Sequence, residues 1–303
     1  MANDQPPSAK VVKHIDRCLS CLGCMTTCPS GVNYMHLVDR AREHIERTFR
    51  RPTTEQILRT FLAWLLPNPW LFRIAVIGAQ LARYFLFLMP KKLSTLLSLA
   101  PSKLPKRSRI DEPGIKPAKG APKYRVALLA GCAQRVLDPE INESTIRLLT
   151  RHGCEVVISP GTGCCGAIPH HMGKTASAST KARANIEAWT KELQGIGLDA
   201  IVSNTSGCGT MLKDYGHIFR DDGIWSTHAA KVSDRVLDIS EFLARLDISS
   251  PAPSNLSVAY HSACSLQHGQ QVHEAPKSLL EGCGFKVLEI PEGHLCCGSA
   301  GTY

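Results

Sequence analysis

The sequence predicts an α/β protein: a short helical module built on a cysteine cluster, then a tandem repeat of α/β cysteine-rich domains, the second incomplete. Three observations carry this. Cys18, Cys21, Cys24 and Cys28 fall within eleven residues; β-type runs alternate with helical stretches after residue 124; and one cysteine pattern occurs twice at a nearly fixed offset.

Residues 1–50 hold the cluster and, from Val32, a helical polar run through Arg40, Glu43, Glu46 and Arg47. Residues 51–100 are strongly apolar, with Phe61-Leu-Ala-Trp-Leu-Leu, Trp70-Leu-Phe and the run from Ile74 to Met89. Pro67, Pro69, Arg73, Gln80 and Arg83 interrupt them, so no stretch reaches the roughly 18 charge-free residues of a membrane span; buried or interfacial helices are expected. Residues 101–123 are rich in Pro, Lys and Gly, which predicts an extended basic linker.

Residues 124–250 and 251–303 carry the repeat. Val126-Ala-Leu-Leu-Ala-Gly-Cys132 aligns with Val258-Ala-Tyr-His-Ser-Ala-Cys264, Gly153–Pro160 with Gly284–Pro291, and Cys164-Cys165-Gly166 with Cys296-Cys297-Gly298. In each copy 31 residues separate the single cysteine from the Cys-Cys pair, so the spacing a metal site needs is preserved. Strands are expected at Val126–Leu129, Val156–Ser159 and Ala200–Ser203, and helices from Asp138-Pro139, with the aspartate as N-cap, and over Lys174–Gln194. Cys132, Cys164, Cys165 and Cys208 each follow a strand. Loops beyond the carboxyl ends of a parallel sheet converge on one edge, so that edge is the expected site.

Composition narrows the chemistry. The chain has 303 residues, 44% of them hydrophobic and 20% charged, which excludes general disorder. Its opening lacks the apolar core of a secretory signal, which points to an intracellular protein, and thirteen cysteines there imply metal or redox chemistry rather than disulfides. The net charge of +9 is concentrated between Lys91 and Arg125, but no zinc-finger, helix-turn-helix or RNA-binding pattern accompanies it, so no nucleic-acid partner is expected.

Cys18-x2-Cys21-x2-Cys24-x3-Cys28-Pro29 matches the bacterial ferredoxin run for a 4Fe-4S cluster; structural zinc more usually takes two separated pairs. In two-cluster ferredoxins the fourth cysteine serves the other cluster, so Cys28 either closes a lone cluster or reaches toward a second. Cys132, Cys164, Cys165 and Cys208 form the second candidate centre, since adjacent thiolates can address different irons of one cluster. Cys264, Cys296 and Cys297 are their counterparts in the second copy, whereas Cys154 and Cys283 lie outside the pattern and read as ordinary buried thiols. Gly161-Thr-Gly-Cys-Cys-Gly166 fits a dinucleotide fingerprint literally, but its counterpart keeps the cysteines and loses the first two glycines. Gly173-Lys174-Thr175 lacks the leading glycine of a phosphate loop, Ile168 standing there. His170, His171, His261 and His294 lie near the cysteine loops and are candidates to tune or ligate a cluster. No residue reads as a catalytic acid, base or nucleophile.

His14-Ile-Asp-Arg-Cys18 through Cys28-Pro-Ser-Gly-Val32, the apolar insert and the two Cys-Cys-Gly (CCG) domains together resemble the iron–sulfur subunit family of bacterial glycolate oxidase, over essentially the whole chain. The motifs are shared with heterodisulfide-reductase-like, lactate-utilisation and anaerobic glycerol-phosphate dehydrogenase subunits. The resemblance implies a ferredoxin-like 4Fe-4S module and a subunit that passes electrons from an FAD-bearing partner, which oxidises glycolate or another 2-hydroxy acid, toward a quinone. It also implies a cytoplasmic location peripheral on the inner membrane. Direct disulfide reduction at the CCG sites and a zinc-bound scaffold are the alternatives. Two departures stand out. The family carries two ferredoxin runs, and the chain starts just ahead of what resembles the second; the counterpart of Cys208 would fall beyond Tyr303. The chain thus resembles a fragment at both ends. Some relatives also carry Cys-x-x-Cys where Met211 follows Cys208 here.

Overall fold

The computed structural model describes residues 6–88, 91–98, 100–246, 248 and 256–295. The N-terminal part is helical: α1 (Ala9–Asp16), α2 (Gly23–Thr27) and α3 (Tyr34–Thr48). The Ser8 hydroxyl accepts the Val11 N–H and the Asn33 side chain accepts the His36 N–H, which fixes where α1 and α3 begin. Val38, Ala41 and Ile45 recur at three- and four-residue spacing and form the buried stripe of α3.

Helices α4 (Thr53–Leu65) and α5 (Pro69–Ala82) follow, with Pro69 in the first turn of α5, where its missing N–H costs nothing. The expectation of buried helices is met only in part in this apolar segment, most of whose large side chains are exposed. Only Ala63, Leu65 and Val76 are buried, whereas Ile57, Phe61, Trp64, Trp70, Ile74, Ile77 and Leu81 are exposed. A 3₁₀ segment (Arg83–Leu88) and α6 (Lys91–Ser98) complete it. Among the described residues no helix is long and apolar enough to cross a membrane.

The next elements are β1 (Gly114–Lys116), β2 (Tyr124–Leu128), α7 (Gln134–Leu137), α8 (Glu140–Arg151), β3 (Cys154–Ile158), α9 (Ala167–His171), α10 (Thr175–Gln194) and β4 (Ala200–Ser203). After them come α11 (Ser206–Lys213), α12 (Tyr215–Ile218), α13 (Ser226–Ser233), β5 (Val236–Asp238) and α14 (Ile239–Leu243). The strands form one sheet in the order β1-β3-β2-β4-β5, parallel except for β1. Two expectations shift here. The 101–123 stretch is more than a linker: it supplies β1, which pairs with β3 at the sheet edge, where Lys and flanking Pro are tolerated. The helix expected to be capped by Asp138 starts at Glu140 with Pro139 as its cap, because the Asp138 N–H closes α7 on the Gln134 carbonyl at 2.8 Å.

Successive residues of β2 feed opposite cores. Val126 and Leu128 pack with Ile146, Leu149, Val202 and Phe242, while Ala127 packs with Ile186, Trp189, Ile201 and Tyr215. Helices therefore cover both faces, as a parallel sheet requires. The chain steps from β2 outward to β3, then crosses back to place β4 on the other side of β2. Such a reversal opens a crevice at the carboxyl ends of β2 and β4.

Beyond it, β6 (Ser257–Ala259), α15 (Glu274–Gly282) and β7 (Lys286–Leu288) form a second, smaller unit. Val258 lies opposite Val287 in a parallel pair, as Val126 lies opposite Val156. A π-helical turn, Ser265–Gly269, packs on α11, with the Thr210 hydroxyl donating to the Ser265 carbonyl at 2.9 Å.

Candidate metal centre

Cys132 ends the loop after β2, Cys164 and Cys165 follow β3, and Cys208 lies in the first turn of α11, after β4. The structure brings these four together at the crevice. Cys165 Sγ lies 3.2 Å from Cys208 Sγ, and Cys164 shares hydrogen bonds with both Cys132 and Cys165. Cys132, Cys164 and Cys165 are buried. Thiol donors from Cys132 and Cys165, with the Gly166 N–H at 3.4 Å, outweigh burial and pull the Cys164 thiol well below its ordinary range. Hydrogen bonding to Cys164 and burial push Cys132 and Cys165 up. Gly166 lies at φ +89°, and a Cβ there would stand 2.9 Å from the Ala178 carbonyl oxygen, so the third position of the Cys-Cys-Gly triplet has a steric reason.

Several residues that sequence reasoning missed hold this centre. Asn185 on α10 is fully buried; its amide donates to the Cys164 carbonyl at 3.1 Å and to the Tyr215 hydroxyl at 3.2 Å, and its oxygen accepts the Gly163 N–H at 2.8 Å. The Tyr215 hydroxyl donates to the Cys165 carbonyl at 2.7 Å. The Cys-Cys backbone is therefore gripped from α10 and α12. Below Cys132, Gln134 donates to Asn142 at 2.6 Å and to Asn204 at 2.7 Å, and Asn142 donates to the Ala130 carbonyl at 2.9 Å. This network ties the loops after β2 and β4 together.

The N-terminal cysteines make a separate group. Cys18 and Cys21 lie in the loop between α1 and α2, Cys24 on α2, and Cys28 just past it; Cys24 is exposed and the others half-buried. What burial Cys24 has, with the nearby Cys21 and Cys18 sulfurs, raises its thiol. Cys28 is lowered instead by the N–H groups of Val32, Ser30 and Gly31, so its sulfur sits in its own nest of backbone donors. Buried Arg42 holds the loop, donating to the Cys18 carbonyl at 2.5 Å and to Ser20 Oγ at 2.7 Å. Cys21 and Cys264 line one cavity with Gly207, so Cys264 of the second unit faces the N-terminal group. The His268 ring meets the Thr26 hydroxyl at 2.7 Å on the same seam.

Of His170 and His171, the second lines the cavity that holds Cys21 and Cys264. Both lie 3.3 Å from the carboxylate of Asp39 and so dock α9 against α3. His261 and His294 line a cavity of the second unit. Cys154 is fully buried in β3, and burial raises its thiol to about 11, in keeping with a packing role. Cys296 and Cys297 lie outside the described residues. No group of three or more His, Cys, Asp or Glu side chains among the described residues is arranged around a single ion position. The donor set at the crevice, four sulfurs from three loops, instead fits a body with several metal atoms, each taking its own thiolate.

Residues 126–213 and 258–303 match the cysteine-rich domain family designated CCG. The chain is 36% identical to the glycolate oxidase iron-sulfur subunit of Escherichia coli over 295 residues, covering 97% of this chain and 69% of that protein. It is 31% identical to the probable glycolate oxidase iron-sulfur subunit of Bacillus subtilis, covering 98% of this chain and 70% of that protein. Lactate utilization protein A of Bacillus licheniformis is 28% identical over 59% of this chain.

Proposed function

Because the chain belongs to the family of glycolate oxidase iron–sulfur subunits, we propose that it is the electron-carrying subunit of a 2-hydroxy-acid oxidase. Glycolate is the leading substrate of the complex. An FAD-bearing partner removes two electrons from the 2-hydroxy acid, and this chain passes them on singly toward a quinone. The observation that carries the reading is the gathering of Cys132, Cys164, Cys165 and Cys208 at the crevice edge by three separate loops.

Each group of residues has a part. Cys18, Cys21 and Cys24 would hold one 4Fe-4S cluster, with Cys28 turned toward another; Cys132, Cys164, Cys165 and Cys208 would hold a second, and Cys264, Cys296 and Cys297 would be their counterparts in a second copy of the CCG domain. A bound cluster supplies one-electron redox chemistry. The protein supplies thiolates, a buried setting and N–H donors. Gly166 N–H on the Cys164 sulfur and the N–H groups around Cys28 stabilise negative charge on the ligands and so favour the reduced state. Asn185 and Tyr215 hold the Cys-Cys peptide so that both sulfurs face the crevice. Nothing here requires a substrate-binding acid or base, which fits a conductor rather than the site of oxidation.

Anaerobic purification with the flavoprotein partner, iron and acid-labile sulfide counting, and electron paramagnetic resonance during glycolate and lactate titration test this directly. Glycolate is expected to reduce the centres, Cys165→Ser to remove one set of signals, and Cys154→Ser to leave all of them. Centres that stay oxidised with glycolate while another donor reduces them would overturn the glycolate assignment; zinc without iron or sulfide would overturn the electron-carrying role.

A further inference from the structure

A pocket between α5, residues 105–111 and α7 is lined by Pro69, Trp70, Val136, Ser108 and the Asp111 carboxylate, with three arginines, Arg73, Arg107 and Arg135. Their partners differ. Arg135 is held by the buried Asp111 carboxylate at 3.0 Å, and Arg107 pairs with Glu112 at 3.0 Å on the open rim. Arg73 has only the Pro105 carbonyl for Nη2, and its Nη1 is buried with no hydrogen-bond partner. A buried charged donor without an acceptor is costly, and a planar guanidinium presents paired donors suited to two oxygens of one anion.

The surroundings say which anion. Trp70 belongs both to the pocket wall and to a stripe on α5, Trp70, Ile74, Ile77 and Leu81, which are 69%, 49%, 45% and 63% exposed. Their spacing of four, three and four residues puts them on one helix face. On α4 the exposed Ile57, Phe61 and Trp64 repeat the pattern. Between residues 54 and 110 the chain carries nine Lys and Arg against the single Glu55. A soluble anion has no use for the apolar stripes. The phosphodiester of an anionic phospholipid uses both features, its oxygens on the guanidinium and its acyl chains along the helix face.

We propose that the Arg73 pocket binds the phosphodiester of an anionic phospholipid, with α5 lying in the membrane interface. This rests on the reading of the chain as a membrane-peripheral electron carrier and gives that reading a specific contact. Arg135 stands three residues after Cys132, at most ~11 Å of backbone, so a lipid held here brings the cysteine centre to the membrane surface where an apolar acceptor resides.

The test is flotation of the full chain, prepared anaerobically, with phosphatidylcholine vesicles that contain or lack phosphatidylglycerol. Wild type is expected to float with the anionic vesicles and shift its tryptophan emission to the blue. Diffuse attraction predicts that Arg73→Gln and Lys106→Gln each weaken binding about fivefold. A seated phosphodiester predicts about fiftyfold for Arg73→Gln, because a charge-assisted hydrogen bond is lost as well, with Arg73→Lys failing to restore it. Arg107→Gln, at an exposed position that does not threaten folding, is expected to exceed Lys106→Gln too. Equal losses at Arg73 and Lys106, or full rescue by Arg73→Lys, would overturn the pocket while the peripheral reading stands. Wild type that ignores both vesicles would overturn both. Arg73-dependent binding of inorganic phosphate without any flotation would assign the pocket to a soluble anion and overturn the lipid.

Discussion

Replacing Asn185 by alanine probes how the Cys-Cys peptide is held. The side chain is fully buried and makes three hydrogen bonds: to the Cys164 carbonyl at 3.1 Å, to the Tyr215 hydroxyl at 3.2 Å and from the Gly163 N–H at 2.8 Å. Each neutral hydrogen bond contributes about 1 kcal/mol net, so their loss, with polar partners left in a dry setting, is expected to destabilise by about 3 kcal/mol. Equilibrium urea unfolding under anaerobic conditions reads this as a lower midpoint at unchanged slope. Iron release to a chelator should quicken in parallel, because the freed peptide no longer aims both sulfurs. Tyr215→Phe removes the donor to the Cys165 carbonyl and should cost about 1 kcal/mol. As Asn185 also bonds to that hydroxyl, the double variant should fall short of the sum by about 0.5 kcal/mol or more. A loss under about 1 kcal/mol for Asn185→Ala, with chelator kinetics unchanged, would refute the idea that α10 positions the centre.

Gly166→Ala forces a side chain into a left-handed conformation against the Ala178 carbonyl; a cost of about 2–3 kcal/mol in urea unfolding is expected, and near-neutrality would mean the corner is plastic. Burial raises the Asp39 carboxyl, but hydrogen bonds from His170 and His171 outweigh it and hold the group well below the usual carboxylate range. A depressed carboxyl contributes stability above its unfolded value of about 3.9 and loses it as pH falls toward the folded value. The stability difference between wild type and Asp39→Asn should therefore shrink as pH falls below about 4; a difference that does not change between about pH 5 and about pH 2 would remove Asp39 as the latch. Cys24→Ser should abolish the N-terminal iron signal, whereas Cys28→Ser, whose sulfur sits among its own backbone donors, should leave iron at Cys18, Cys21 and Cys24; equal loss would make Cys28 the fourth ligand of that cluster.

How much of this the sequence revealed depends on what each residue acts through. The strand at Ala200–Ser203 agrees to the residue and the long helix begins one residue later than expected, at Thr175, because apolar runs with β-branched residues and an Ala-Lys-Glu stretch are local signals. The convergence of Cys132, Cys164, Cys165 and Cys208 was legible too, since each follows a strand and parallel strands end at one edge. Strand β1 was hidden because Pro and Lys read as linker; only the partner β3 makes that stretch a strand. His170 and His171 lie near the cysteines in sequence, yet the α9 corner pairs them with Asp39, 131 and 132 residues away along the chain. Asn185 left one faint trace, an amide on the otherwise apolar buried face of Ala178, Ala182, Ile186 and Trp189.

The order of the strands explains why the motif needs two adjacent cysteines. At the reversal of direction beside β2, the loops after β2 and β4 part and the loop after β3 comes in from the side. That loop reaches both, Cys164 toward Cys132 and Cys165 toward Cys208. Cys164 meets the Cys132 side and Cys165 meets Cys208, 3.2 Å away, because consecutive residues at a corner point in diverging directions. The divergence persists only if the corner is rigid, and three devices make it so: left-handed Gly166, and the Asn185 and Tyr215 bonds to the two cysteine carbonyls. A multi-iron body bridged by one dipeptide would hold its ligands through backbone stiffness more than through side-chain packing. Iron retention should then follow the strength of those carbonyl hydrogen bonds even in variants whose four sulfurs are untouched.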